Sequence, residues 1–207
     1  MNKNTTCTLA AIALSASFLN VSAQPMKSNN SWFFGVGANT STNFLNQDEI
    51  SGVRTTAHSA DVGFNLLVGK QISDRFSLSF EYSNIGQYTK SDIFQSAGAP
   101  SIWSSTEKRY LASIIGTYTK PLDTHFSVFA NAGVSYVHTK ANSIFNDDTV
   151  TSTDQNLQPQ FGAGLGYRLA NFGADLSYTY NLGASNALFS VHGTSFDYLS
   201  LNLKWYV

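Results

Sequence analysis

Hydrophobic and polar residues alternate one by one along most of this chain. At its end, Leu199, Leu201, Leu203, Trp205 and Val207 alternate with Ser200, Asn202, Lys204 and Tyr206. Successive side chains of a strand point to opposite faces, so this segment predicts a strand with one greasy face and one polar face. The same pattern predicts eight strands in all, at about 32–44, 57–71, 75–88, 108–119, 126–139, 157–169, 171–182 and 196–207. In the first, Trp32, Phe34, Val36 and Ala38 oppose Phe33, Gly35, Gly37 and Asn39. The fourth alternates least clearly: Tyr110, Ala112, Ile114, Gly116 and Tyr118 oppose Leu111, Ser113, Ile115 and Thr117, which leaves its register open. Pro25, Pro100, Pro121 and Pro159 are expected before strands, in loops or turns, or at a strand start, since proline breaks a central ladder.

The connections alternate too. Those at 71–74, 120–125 and 170–171 are tight, whereas 45–56, 89–107, 140–156 and 183–195 are long and polar. Short turns on one side and long loops on the other are the pattern of an outer-membrane barrel. A barrel with its greasy face inward is the alternative. Two features favour lipid outside. The polar face is mostly Gly, Ser, Thr and Asn, a poor soluble surface but a good crowded lining into which Phe33, Phe129 and Tyr198 could fit. The greasy face has no charge in its middle rows, and aromatics collect toward both strand ends, as at two membrane interfaces.

Composition sharpens this picture. Charged residues are 12% of the chain, with 15 Phe, 10 Tyr and 15 Gly. Roughly 25% charge is usual for soluble domains. The net charge of −1 offers nothing to nucleic acid. Residues 1–23 read as a cleaved signal peptide, with Lys3, an apolar run and Val21-Ser22-Ala23 before the cut. Residues 24–31 are expected to be a short periplasmic lead and 32–207 the barrel. The single cysteine, Cys7, leaves with the signal, so no disulfide is expected. No second apolar run is long enough for a transmembrane helix.

Trp32-Phe33-Phe34-Gly35-Val36-Gly37, Phe80-Glu81-Tyr82, Phe161-Gly162-Ala163-Gly164-Leu165-Gly166-Tyr167 and the terminal strand together resemble the eight-stranded OmpA-like and OmpX-like barrels, including opacity-type surface proteins. The resemblance implies a single all-β, antiparallel, up-and-down transmembrane barrel in a Gram-negative-type outer membrane. It implies contact with outer-membrane lipid and lipopolysaccharide. It also implies a terminal-strand signal (Leu203, Trp205, Tyr206, Val207) read by the barrel assembly machinery, with Val207 where the family usually has Phe. No periplasmic peptidoglycan-binding domain is expected after the barrel. Glu81 matches a lumenal glutamate of the OmpA barrel. A second lumenal acid falls at Ser177, so that barrel's salt-bridge gate does not carry over whole.

Several residues invite chemistry. Asp61, Glu81, Arg168, Asp175 and Lys204 are expected in the lumen, as a gated ion path or as a plug of paired charges. Arg168 and Asp175 flank the 170–171 turn as diagonal neighbours. Gly162, Gly164 and Gly166 lack nucleotide-loop spacing and read as strand. His58, His125, His138 and His192 form no metal-spaced cluster, and no cofactor is expected. His138 lies where lipid A deacylases keep a catalytic His, but no outward Ser stands beside it. Asp147, Asp148 and Asp154 could share divalent ions with lipopolysaccharide or be a solvated loop. Ile102, Trp103, Ile144, Phe145, Leu188 and Phe189 are apolar loop residues, either an adhesive surface or loop packing. The expected function is a non-enzymatic surface protein whose loops bind a host or extracellular partner or stabilise the envelope. A narrow channel for small solutes or ions is the alternative.

Overall fold

The computed structural model describes residues 31–41, 54–96, 99–145, 148–183 and 195–207, with backbone alone for 54–60, 90–103 and 145. The proposed signal peptide and lead lie outside the described residues, apart from Ser31. The strands are β1 (Trp32–Ser41), β2 (Arg54–Ala60), β3 (Gly63–Gln71), β4 (Phe76–Ser96), β5 (Ala99–Pro121), β6 (Phe126–Phe145), β7 (Asp148–Leu169), β8 (Phe172–Asn181) and β9 (Phe196–Tyr206). All pairings are antiparallel, and β1 pairs β9 to close the barrel. Both β2 and β3 pair β4, so these nine segments make eight staves.

The interruption between β2 and β3 and a bulge in β4 are one feature. On β4 the register passes from Asn84 to Gln87 while β5 passes only from Tyr110 to Lys108. The extra residue buries Ile85 (4% exposed) in the lumen and places Gly86 at φ 85°. Asn84 accepts the Gly86 N–H at 2.9 Å, and Asp61 N–H bonds the Gln87 carbonyl at 2.9 Å. A Cβ on Gly86 would sit 2.4 Å from the Asp61 carbonyl oxygen, so close backbone approach and positive φ both require glycine there.

The alternating pattern resolves as a lipid-facing exterior. Leu165, Leu201 and Leu203 are each more than half exposed, whereas Asn65, Ser135 and Gln160 are almost fully buried inside. The ambiguous strand β5 follows the same rule. Leu111, Ser113 and Ile115 point inward, and Ile114 and Tyr118 point out. Its pattern is blurred because the lumen here accepts apolar side chains.

The long connections differ from expectation. Most of 89–107 and 140–156 is paired strand rather than loop. As a result β4 to β7 run 20 to 23 residues, against 10 or 11 for β1, β8 and β9. Together with β2, these strands form a sheet that stands beyond the barrel rim on one side. Alternation could not reveal it, because both faces of the wall meet water. Pro100 is thus paired within β5. Pro159 lies inside β7 rather than at its start. Its carbonyl accepts the Leu182 N–H at 2.9 Å, so its missing N–H faces the place where β8 ends. The proline therefore leaves the β6 ladder intact.

Candidate functional site

Among the described residues, polar and charged groups gather in two places, the lumen and the wall. The lumen is filled in layers. At the periplasmic end Lys204 forms an ion pair with Asp175, and the Lys204 ammonium lies 5.1 Å from the centre of the Phe33 ring. The Arg168 guanidinium stacks 3.7 Å over the Tyr206 ring and donates to Gln71 Oε1 and the Ala170 carbonyl, both at 3.3 Å. Arg168 and Asp175 are diagonal in register, but the ion partner of Asp175 is Lys204, one strand over. A cavity of about 60 Å³ adjoins these groups and reaches Asp74 and Arg75.

The middle layer is uncharged except for Glu81. Its carboxylate accepts bonds from Ser83 Oγ at 2.6 Å and Asn65 Nδ2 at 3.4 Å. A hydroxyl–amide chain runs from Ser113 to Ser135 to Gln160, with spacings of 3.0 and 2.6 Å. The glycines of this layer make room for amides. The Oδ1 atoms of Asn65 and Asn202 both lie within 2.2 Å of where a Gly37 Cβ would be. A second cavity, about 40 Å³, sits among Glu81, Asn131, Ser200 and Lys204.

Above it the lining turns apolar. Ile85, Leu111, Val137, Phe196 and Tyr198 pack into a buried cluster. The Arg109 guanidinium caps it, 4.4 Å over the Phe196 ring, and is held by Glu107 at 2.8 and 3.3 Å. Charge-based reasoning missed this layer. Its signal was an apolar residue wherever a polar one was due, at Leu111, Val137 and Phe196.

Of the five expected lumenal charges, the structure pairs Asp175 with Lys204 and places Arg168 and Glu81 nearby. Asp61 is exposed at the β2–β3 interruption and joins no ion pair with the other four. Ile102 and Trp103 fall within β5 and Phe145 ends β6, all in paired backbone whose side chains are outside the described residues. Ile144 is exposed on the wall, and Leu188 and Phe189 lie outside the described residues. Asp148 and Asp154 stand in β7, with Asp154 accepting bonds from the Gln155 N–H and Asn156 Nδ2. Among the described residues no group of three or more His, Cys, Asp or Glu could hold a metal.

The OmpA-like transmembrane domain family matches residues 27–202. The chain belongs to that family. This OmpA-like barrel is therefore an outer-membrane protein of Gram-negative type. Its fold is similar to that of Neisserial surface protein A, with TM-score 0.52 and 13% identity, over 84% of this chain and 96% of that one. The outer membrane protein OprG from Pseudomonas aeruginosa is similar at TM-score 0.50 and 12% identity, over 89% and 99% of the two chains. Ail of Yersinia pestis has TM-score 0.48 and 15% identity, over 86% and 97%. No curated protein matches the OmpA-like barrel in sequence.

Proposed function

We propose that this OmpA-like barrel is a non-enzymatic surface protein whose protruding sheet engages a partner outside the cell. The observation that carries the reading is the wall itself. Segments expected as loops are hydrogen-bonded strands, so a rigid surface is displayed above the membrane at little ordering cost on binding. In β7 the residues from Asp148 to Gln155 are all exposed and, among the described residues, pair with β6 alone, so in this reading the other edge offers its backbone groups to an extended partner. Ile144 adds an exposed apolar contact. The lumenal charges serve as a structural plug in this reading, and the terminal strand serves assembly.

The test displays the protein on a laboratory strain, intact or with 89–107 and 140–156 cut to tight turns. At equal surface levels the intact form should bind host cells or serum proteins and the shortened form should not. Equal binding by both would remove the wall from the function. The two lumenal cavities favour a second reading, a narrow channel. If the lumen is a plug, bilayer recordings should show little current, and Glu81→Ala should fold and change that current little. A large stable conductance in that variant would favour the channel.

A further inference from the structure

On the outer face of the wall, Lys108 of β5 and Lys140 of β6 are directly opposed, and both are exposed. Opposed residues of an antiparallel pair have Cβ atoms about 4.5–5.5 Å apart, and like charges there repel. No acid of these strands relieves them. Glu107, Asp148 and Asp154, the acids of β5 to β7, all belong by alternation to the opposite face. The outward acid Asp197 is on β9 and accepts a bond from the Tyr178 hydroxyl.

The lysine pair also has a defined height. One outward row closer to the membrane, the Tyr110 and His138 rings lie 6.2 Å apart. Gln155 joins His138 Nδ1 at 3.1 Å and the Tyr136 hydroxyl at 2.8 Å. Such half-polar aromatic groups mark the membrane interface, and the next row stands about 7 Å beyond. Beyond the lysines the outer face offers hydroxyls and amides: Thr106, Asn142 and Thr151, with Thr151 donating to Asn142 at 3.0 Å.

We propose that Lys108 and Lys140 clamp a phosphate of outer-leaflet lipopolysaccharide, and that the hydroxyl-rich rows above them lie against its sugars. A dianionic phosphate between two ammonium groups turns their repulsion into attraction. Lysine suits this use as a mobile point charge. The lipid-facing surface continues without a break into the clamp, so a lipid already in the leaflet has only to seat its headgroup. The inference does not depend on the wall binding a partner.

The experiment uses the refolded full barrel in detergent and native mass spectrometry of bound lipid. Diphosphorylated lipid A should be retained by the wild type and by the K108R/K140R variant. K108Q/K140Q should weaken retention by at least about tenfold, given the usual contribution of basic residues at anionic lipid surfaces. K120Q removes the same charge at the periplasmic end of β5 and should change nothing. Heat-modifiable migration of each variant confirms folding. Retention by K108Q/K140Q equal to wild type would overturn the proposal. So would equal retention of dephosphorylated lipid A. Phosphatidylglycerol competing on equal terms would overturn the assignment to lipopolysaccharide.

Discussion

At the periplasmic end the chain reverses in two to four residues, at 72–75, 122–125 and 170–171, whereas at the other end β4 to β7 run on into the wall. The ladder is continuous across that transition: β6 and β7 keep one register from Phe126↔Tyr167 to Phe145↔Asp148. Burial is what changes. Along β7, uniformly exposed residues give way at Asn156 to strict alternation. The backbone propagates from rung to rung whatever surrounds it, and the side chains report the solvent on each face. The lumen shows the same contrast, with charges at the periplasmic end and an apolar seal beneath the wall.

The strongest way to break the contrast is to empty that seal. Phe196→Ala removes a ring that is 2% exposed and packed beneath Arg109. The expected loss is ~3–5 kcal/mol in urea unfolding, from lost transfer and the cavity left behind. Bilayer current should rise as the outer seal opens. An unchanged unfolding midpoint would show that the cluster does not hold the lumen together.

Next in size is a charge in the lipid band. Leu165 faces outward between Val128 and Leu176. Leu165→Arg should cost ~2–4 kcal/mol and impair insertion. Asn131→Arg, pointing toward the lumenal cavity, should be tolerated better. Folded fractions on gels compare them, and the reverse order would invert the inside and outside of the barrel.

These residues also show what the sequence could and could not reveal. Leu165 was legible as lipid-facing because lipid and lumen demand opposite chemistry at alternate positions. The lumenal role of Phe196 was harder to see, since an apolar residue at a strand end suits either face. The wall was illegible for a related reason: with water on both sides, Thr149 to Thr153 carry no alternation to read. Local spacing placed Arg168 and Asp175 correctly as diagonal neighbours. It could not show that β9 brings Lys204 to Asp175 while Tyr206 occupies Arg168. The bulge at Gly86 was hidden too, and with it the interruption opposite, where Asp61 is exposed and bonds the Gln87 carbonyl through its backbone N–H.

A smaller effect, of opposite sign, is expected in the shortest turn. Ala170 has φ 50°, where a Cβ crowds the carbonyl. Ala170→Gly should relieve this and stabilise the barrel by about 1 kcal/mol. A lower urea midpoint would mean that glycine's added freedom in the unfolded chain outweighs the strain.

The finest probe is the 122–125 turn, where one carboxylate does what long ladders do in the wall. Asp123 accepts the Phe126 and His125 backbone N–H groups, each at 2.7 Å. Those two bonds, Phe126 first, hold its pKa below the ordinary value of 3.8, with a smaller contribution from the charge of His125. A carboxyl whose folded pKa is depressed stabilises fully above its unfolded pKa and loses that stability as pH falls through the folded value. Asp123→Asn keeps an acceptor but loses the charge. Its unfolding midpoint should therefore lie slightly below wild type at pH 7, and the gap should close as the pH is lowered through 4 toward 2. A gap of constant size across that range would mean the turn is held by shape alone, and the charge of Asp123 would have no part in separating the two ends of the barrel.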